Sequence, residues 1–252
     1  YGDTVSYASG TFTNLSGEIS YQPDIIYLTG DITENSQLGE SITYYNGISI
    51  SHDLTIDGQG YTINGLNKIR TFYLNSGYTL TLKNLILTGG KSTNYAGNIY
   101  LNRGAKLILD NVLIMDNSAN WAGSIYGKSQ NTITITNSIF QNNHAKYAGS
   151  IYLNNGTLNM ENTNFTNTYS TSWAGAIGIE NSIATIKDSV FTNDYSTGDI
   201  GGVIYSRDTS LTLTNTNFTN CKSNIGGAIA QLNNTLTLNY CNFQNNTANY
   251  WG

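Results

Sequence analysis

Apolar and polar residues alternate along short stretches of this chain. Thr132-Ile133-Thr134-Ile135-Thr136, Leu211-Thr212-Leu213-Thr214 and Leu236-Thr237-Leu238 are examples. A period of two marks a strand with one face buried. Gly, Asn, Ser and Thr turns separate the stretches, and no helical period lies between them. The stretches also keep a beat. Ala96-Gly97-Asn98-Ile99 returns as Ala122-Gly123-Ser124-Ile125, Ala148-Gly149-Ser150-Ile151 and Ala174-Gly175-Ala176-Ile177, then as Gly201-Gly202-Val203-Ile204 and Gly226-Gly227-Ala228-Ile229. The in-phase glycines at 97, 123, 149, 175, 202, 227 and 252 are spaced 26, 26, 26, 27, 25 and 25. Phe140, Phe165, Phe191, Phe218 and Phe243 follow the same period, each with Asn two residues on.

About three short strands per repeat, joined by turns too short for a phase-preserving meander, predict an all-β parallel β-helix. Each repeat is one coil, stacked at about 4.8 Å on the next. Three inward columns follow. One is Ile99, Ile125, Ile151, Ile177, Ile204 and Ile229. The second is Leu82, Leu109, Ile135, Met160, Ile186, Leu213 and Leu238. The phenylalanines form the third. The repeat glycines are expected to supply positive φ or close backbone approach. Asn142, Asn167, Asn193, Asn220 and Asn245, with Asp116 before them, are expected to form an amide ladder in left-handed turns.

Residues 1–47 fall outside the repeat and read as an N-terminal cap with lead-in strands. A short helix near Thr13, carrying Leu15, Glu18 and Ile19, would cover the first coil. Residues 48–252 read as the β-helix, in one continuous domain. The chain begins at Tyr1 and Gly252 stands in the phase of the repeat glycine. Both ends are therefore expected to be trimmed from a longer protein.

The Gly226-to-Ile229 phrase, with Phe140-to-Asn143 and Phe243-to-Asn246, resembles the repeats of chlamydial polymorphic membrane proteins. Residues 54–65 and 80–85 (Leu54-Thr55-Ile56-Asp57-Gly58-Gln59-Gly60 and Leu80-Thr81-Leu82-Lys83-Asn84-Leu85 among them) look more like methanogen adhesin-like surface proteins. The resemblance spans roughly residues 13–252. It implies a right-handed, pectin-lyase-like solenoid displayed on an archaeal cell surface and used for attachment. It carries over no catalytic residue. Several coils depart from the motif, with Ala in place of the first Gly, and Phe-x-x-Asn is complete in only two.

Composition narrows the functions. Charged residues are 11% of the 252, the net charge is -5, and no basic run occurs. Nucleic acid is therefore not an expected partner. No apolar run approaches the roughly 20 residues of a membrane-spanning helix, so no membrane insertion is expected of this stretch. No cofactor is implied. Enzymes on such scaffolds need clustered carboxylates. Here the outward column Lys83, Asp110, Thr136, Glu161, Lys187 puts Asp110 and Glu161 two coils apart, about 9.6 Å. That is at the outer limit of a roughly 6.5–9.5 Å inverting pair. Cross-strand ion pairs, Lys83 with Asp110 and Glu161 with Lys187, are the simpler expectation. His52 and His144 stand alone. Cys221 and Cys241 differ in phase and are expected to be free thiols.

Binding must then use the outside. The residue after each core Ile is expected to face outward, giving Tyr100, Tyr126, Tyr152, Gly178, Tyr205 and Ala230. Such a tyrosine strip suits sugar rings or a protein partner, and it would also stabilise a stack. A neighbouring column reads Tyr95, Trp121, Tyr147, Trp173, Ile200, Ile225 and Tyr250 and is expected at a partly buried corner. An outward Thr column is broken by Ile108 and Asn159, which argues against an ice-binding lattice. The expected function is non-catalytic attachment, as a cell-surface adhesin, to a glycan or surface protein of another cell. A polysaccharide lyase or glycoside hydrolase, and an envelope spacer, are the alternatives.

Overall fold

A computed structural model describes residues 2–198 and 200–252. The chain winds as a parallel β-helix of about nine coils. In one coil, strands Thr132–Thr136 and Ile139–Gln141 lie in a long sheet, His144–Tyr147 in a six-stranded sheet and Ile151–Asn154 in an eight-stranded sheet. Each strand pairs in parallel with its counterpart one coil on. The repeat is therefore a spatial period as well as a sequence period.

The inward columns form in the register the repeat predicts. Ile99 to Ile229 stack through successive coils. Leu82 to Leu238 do the same. The phenylalanine rings lie nearly parallel, with centroids 4.5, 4.8, 4.8 and 5.1 Å apart. Phe140, Phe165, Phe191 and Phe218 are fully buried. A parallel strand ladder holds each ring at the strand spacing, so identical residues stack face to face.

Helix Phe12–Ser20 closes the first coil, burying Phe12, Leu15 and Ile19. It starts one residue before the expected Thr13, because Thr11 is the N-cap and its hydroxyl accepts from the Asn14 N–H at 3.1 Å. Buried Glu40 ties the helix down by accepting from the N–H and hydroxyl of Thr13, both at 2.6 Å. Strands Val5–Gly10 and Ile25–Thr33 already belong to the long sheet, so the lead-in strands are its first rungs.

The repeat glycine serves close approach. A Cβ placed at Gly97, Gly123 or Gly149 would land on the carbonyl oxygen of the glycine one coil on. In the earlier coils positive φ falls on the residue before, Ala96, Ala122, Ala148 and Ala174 having φ of 58 to 60°, whereas at Gly202 the repeat glycine itself takes it, with φ 78°. Left-handed backbone costs an L-residue roughly 1–2 kcal/mol. Alanine stays there because its methyl is buried in a second hydrophobic cluster, described below.

Asn142, Asn167, Asn193, Asn220 and Asn245 do adopt φ of 54 to 56°, and Asp116 58°. The expected amide ladder, however, runs on other columns. One is the preceding corner, where Asn111 donates to Asn84, Asn162 to Asn137 and Asn215 to Asp188 at 2.7–2.8 Å. The other lies one residue later and is buried: Asn117, Asn143, Thr168, Asp194 and Cys221, with Asn246 next in phase. There Asn117 Nδ2 donates to Asn143 Oδ1 at 2.9 Å. Asn143 Nδ2 donates to the Ile114 carbonyl and Asn246 Nδ2 to the Phe218 carbonyl, each at 3.0 Å. The Asn that completes Phe-x-x-Asn is thus the one that satisfies the core turn. A left-handed residue rotates its own side chain outward and turns the next one in.

Both cysteines are free. Cys221 takes an Asn place in the buried column, its thiol facing the Phe191 carbonyl at 3.5 Å. Burial, with Asp194 beside it, pushes the thiol up to about 12. Cys241 is half-buried. A disulfide reagent added to native protein at pH 8 is expected to modify Cys241 alone, Cys221 reacting only on unfolding. Equal rates at the two thiols would contradict this burial.

Candidate functional site

The tyrosines of the eight-stranded sheet point away from the main core, as alternation requires. They are nevertheless covered. Tyr126, Tyr152 and Tyr205 are only 4, 4 and 6% exposed, and Tyr100 is half-buried. The expectation of an open tyrosine strip is therefore corrected. The tyrosines sit on the methyls of Ala96, Ala122, Ala148 and Ala174, and Tyr95, Trp121 and Trp173 pack over them. The left-handed alanine turn causes this, because it folds the end of the six-stranded sheet back across the start of the eight-stranded one.

The result is a continuous aromatic layer outside the main core. Tyr73, a member the repeat phrase did not reveal, stacks on Tyr100 at 5.1 Å, and Tyr100 on Tyr126 at 5.6 Å. Tyr126 stacks on Tyr152 at 5.3 Å. Over them, Tyr95 meets Tyr126 at 4.5 Å, and Trp121 meets Tyr147 at 4.4 Å and Tyr152 at 5.2 Å. Trp173 lies 5.5 Å from Trp121 and 5.0 Å from Tyr205. Gly178 interrupts the tyrosine column for a steric reason. A Cβ there would sit 2.5 Å from Trp173 Cζ3, so the indole fills the gap. Burial raises the phenols of Tyr126 and Tyr152 well above the ordinary tyrosine value, with Glu180 adding to the effect at Tyr152.

The corner column Tyr95, Trp121, Tyr147 and Trp173 is half-buried, as expected. These four present the outer surface of the layer. Ile200 is exposed, and Ile225 pairs with Trp251 instead of the expected Tyr250 because a bulge shifts the register. The layer begins at Arg70, a buried cation whose guanidinium lies 5.1 Å from the Tyr100 ring centroid. It donates to the carbonyls of Asn46, Tyr95 and Ala96.

The carboxylates on the long sheet do not gather. Lys83 pairs in register with Asp110 and Glu161 with Lys187. The expected ion pairs are nonetheless not made. Asp110 Oδ1 instead accepts from Thr136 Oγ1 at 3.0 Å and Asn137 Nδ2 at 2.9 Å. A shallow groove of about 150 Å³ is lined by Glu161 and Lys187 but not by Asp110. Among the described residues, no three His, Cys, Asp or Glu side chains form a metal-binding group. His144 stacks on Tyr169 at 5.0 Å, and Tyr169 on Tyr195 at 4.9 Å, along the six-stranded sheet. Burial, then Lys91, pulls its imidazole below the ordinary histidine value. His52 is apart from it, bonded to the Pro23 carbonyl at 2.9 Å.

Glu180 and Arg207 escaped sequence reasoning. They form an ion pair at 2.7 Å on the outer face of the eight-stranded sheet. Their signal was their shared place, two residues after Gly178 and Tyr205 on paired strands. Compared with known proteins, the chain matches no family model and no curated protein sequence. No described helix is long and apolar enough to cross a membrane.

Proposed function

We propose that the chain is a non-catalytic attachment domain of a cell-surface protein, holding a glycan or surface protein of another cell. The observation that carries this reading is the half-exposed layer of Tyr95, Trp121, Tyr147 and Trp173 on a buried tyrosine base. Rigid aromatic faces lose little conformational entropy on binding, which suits them to sugar rings and to protein hot spots. The solenoid holds them along its axis, where an extended ligand can lie. The burial of Tyr126, Tyr152 and Tyr205 favours a second reading, in which the layer only braces an envelope spacer.

The test is binding of the protein to microbial cells and an immobilised glycan panel. Two variants accompany it, since truncating the tyrosine base would cost folding. Trp121→Ala/Tyr147→Ala removes outer faces. Lys146→Glu places a carboxylate beside the Tyr147 ring, over which the ammonium now sits at 5.1 Å, and leaves the layer intact. Attachment through the layer predicts saturable binding that falls at least tenfold in both variants. Binding that survives both moves the site elsewhere on the protein. Failure to bind any cell or glycan, with lower stability in the double variant, favours the spacer.

A further inference from the structure

A polar column runs beside the aromatic layer on the eight-stranded sheet. It contains Asn154, Glu180 and Arg207, two residues along each strand from the tyrosine column, with Lys128 in the same phase just past the end of strand Ile125–Gly127. A chain of hydrogen bonds crosses it. Asn181 Nδ2 donates to Asn154 Oδ1 at 3.0 Å, and Asn154 Nδ2 to the Tyr152 hydroxyl at 3.2 Å. Tyr152 donates to Glu180 Oε2 at 2.6 Å, and Arg207 Nη2 meets Glu180 Oε1 at 2.7 Å. The Glu180 side chain is 9% exposed and that of Arg207 47%.

Asn154 Oδ1 and both Glu180 oxygens are engaged by protein donors. The donors left facing solvent are the remaining guanidinium N–H groups of Arg207 and the Lys128 ammonium, which is exposed. The ligand that complements them presents acceptors. A guanidinium fixed on one side by a buried carboxylate offers its other N–H groups as a planar fork, and a fork matches a carboxylate in two-point contact. Tyr205 lies two residues before Arg207, and Trp173 lies 5.0 Å from Tyr205. Tyr205 is itself buried, so the face it offers this side of the sheet is the half-buried Trp173 indole that covers it. Lys128 is three coils from Arg207, about 14 Å at the strand spacing. That distance allows a second carboxylate further along a linear chain.

We propose that Arg207, oriented by Glu180, binds the carboxylate of an acidic sugar in a surface glycan, with Lys128 taking a second carboxylate of the same chain. The inference rests on the attachment reading and adds the ligand's chemical class. Asp208 follows Arg207, and its Oδ1 is held by Asn233 Nδ2 at 3.0 Å.

The test is calorimetry with alginate oligosaccharides, which carry a carboxylate on every ring, and with their carboxyl-reduced counterparts. The expected result is at least tenfold weaker binding of the reduced chains. Arg207→Ala should lose at least tenfold for the acidic chains and nothing for the reduced ones. Arg207→Lys keeps the charge without the fork and should lose several-fold. If Arg207→Ala, which strands a buried carboxylate, unfolds, Glu180→Gln/Arg207→Gln removes both charges and should show the same loss. Equal affinity for acidic and reduced chains, or no loss in any variant, overturns the proposal. Equally tight binding of dextran sulfate would overturn the carboxylate selectivity. Attachment to cells that is unchanged in the Arg207 variants overturns this inference while leaving the attachment reading standing. Binding to no cell and no glycan overturns both.

Discussion

Asp194→Asn is expected to stabilise the protein, and by more at pH 8 than at pH 5. Asp194 is fully buried in the column where Asn117, Asn143 and Asn246 stand in other coils. Its Oδ1 accepts from the N–H and hydroxyl of Thr168 at 2.9 and 3.0 Å. Its Oδ2 is buried without a partner. Asparagines in this column use their second atom, an amide nitrogen, to donate to a carbonyl of the stacked phenylalanine strand. The carbonyl in the equivalent place for Asp194 is that of Phe165. An ionised carboxylate has nothing to donate there, and a protonated one does. Burial accordingly raises the Asp194 carboxyl well above its ordinary value, against the opposing bonds from Thr168.

The sign follows from linkage. The folded state holds this proton more tightly than the unfolded chain. The contribution of Asp194 is therefore fully present below the unfolded carboxyl's pKa, about 3.9. It is lost as pH rises toward the raised folded value, at about 1.4 kcal/mol per pH unit. Asparagine is isosteric, never ionises and supplies the donor. The gain at neutral pH should be on the order of 1–3 kcal/mol, the penalty of an unsatisfied buried group. Urea unfolding of both proteins at pH 5 and pH 8 measures it. Parallel pH profiles, or a less stable variant, would sink the argument.

The second large effect is a loss. Arg70→Met should destabilise the protein by about 3 kcal/mol or more, the usual consequence of breaking a buried charged network. Among the described residues, Arg70 meets no carboxylate. Its charge is spread over the carbonyls of Asn46, Tyr95 and Ala96 and the face of Tyr100. The methionine variant leaves the buried Ala96 carbonyl unbonded, strips the bonds to Asn46 and Tyr95, and removes the cation from under the Tyr100 ring. Arg70→Lys keeps a cation but not the fork, and should recover only part of the loss. Thermal unfolding, followed by near-ultraviolet circular dichroism of the tyrosines, gives the measurement. A methionine variant within about 1 kcal/mol of the parent would show Arg70 to be dispensable.

The solenoid was legible because apolar residues recur in phase at each inward position, and a parallel ladder stacks equivalent positions of successive repeats. Ile99 to Ile229 and the phenylalanines needed nothing beyond the period. The site was less legible, for three physical reasons. Alternation says that Tyr126 leaves the core but not what folds over it, and that was decided by the left-handed turn at Ala122. Register sets Lys83 beside Asp110, but rotamers choose hydroxyl and amide partners for the carboxylate. The Asn column was misplaced by one residue, because a left-handed residue swaps which neighbour turns inward. The Ala-Gly pair with an aromatic on each side, as in Trp121-Ala122-Gly123 and Tyr126, was the available signal for the covered layer. Arg70 had none, since it occurs once and a repeat shows only what recurs, and Glu180 had only its in-phase pairing with Arg207.

Stacked-repeat proteins normally behave as one-dimensional chains, in which each unit feels only the unit above and the unit below. Trp121 and Trp173 touch across the coil between them, 5.5 Å apart and nearly perpendicular. Such next-nearest coupling means that the coil of Tyr147 is not expected to open without parting the two indoles. The three coils carrying Trp121, Tyr147 and Trp173 are expected to melt as one cooperative block, while coils beyond them fray rung by rung.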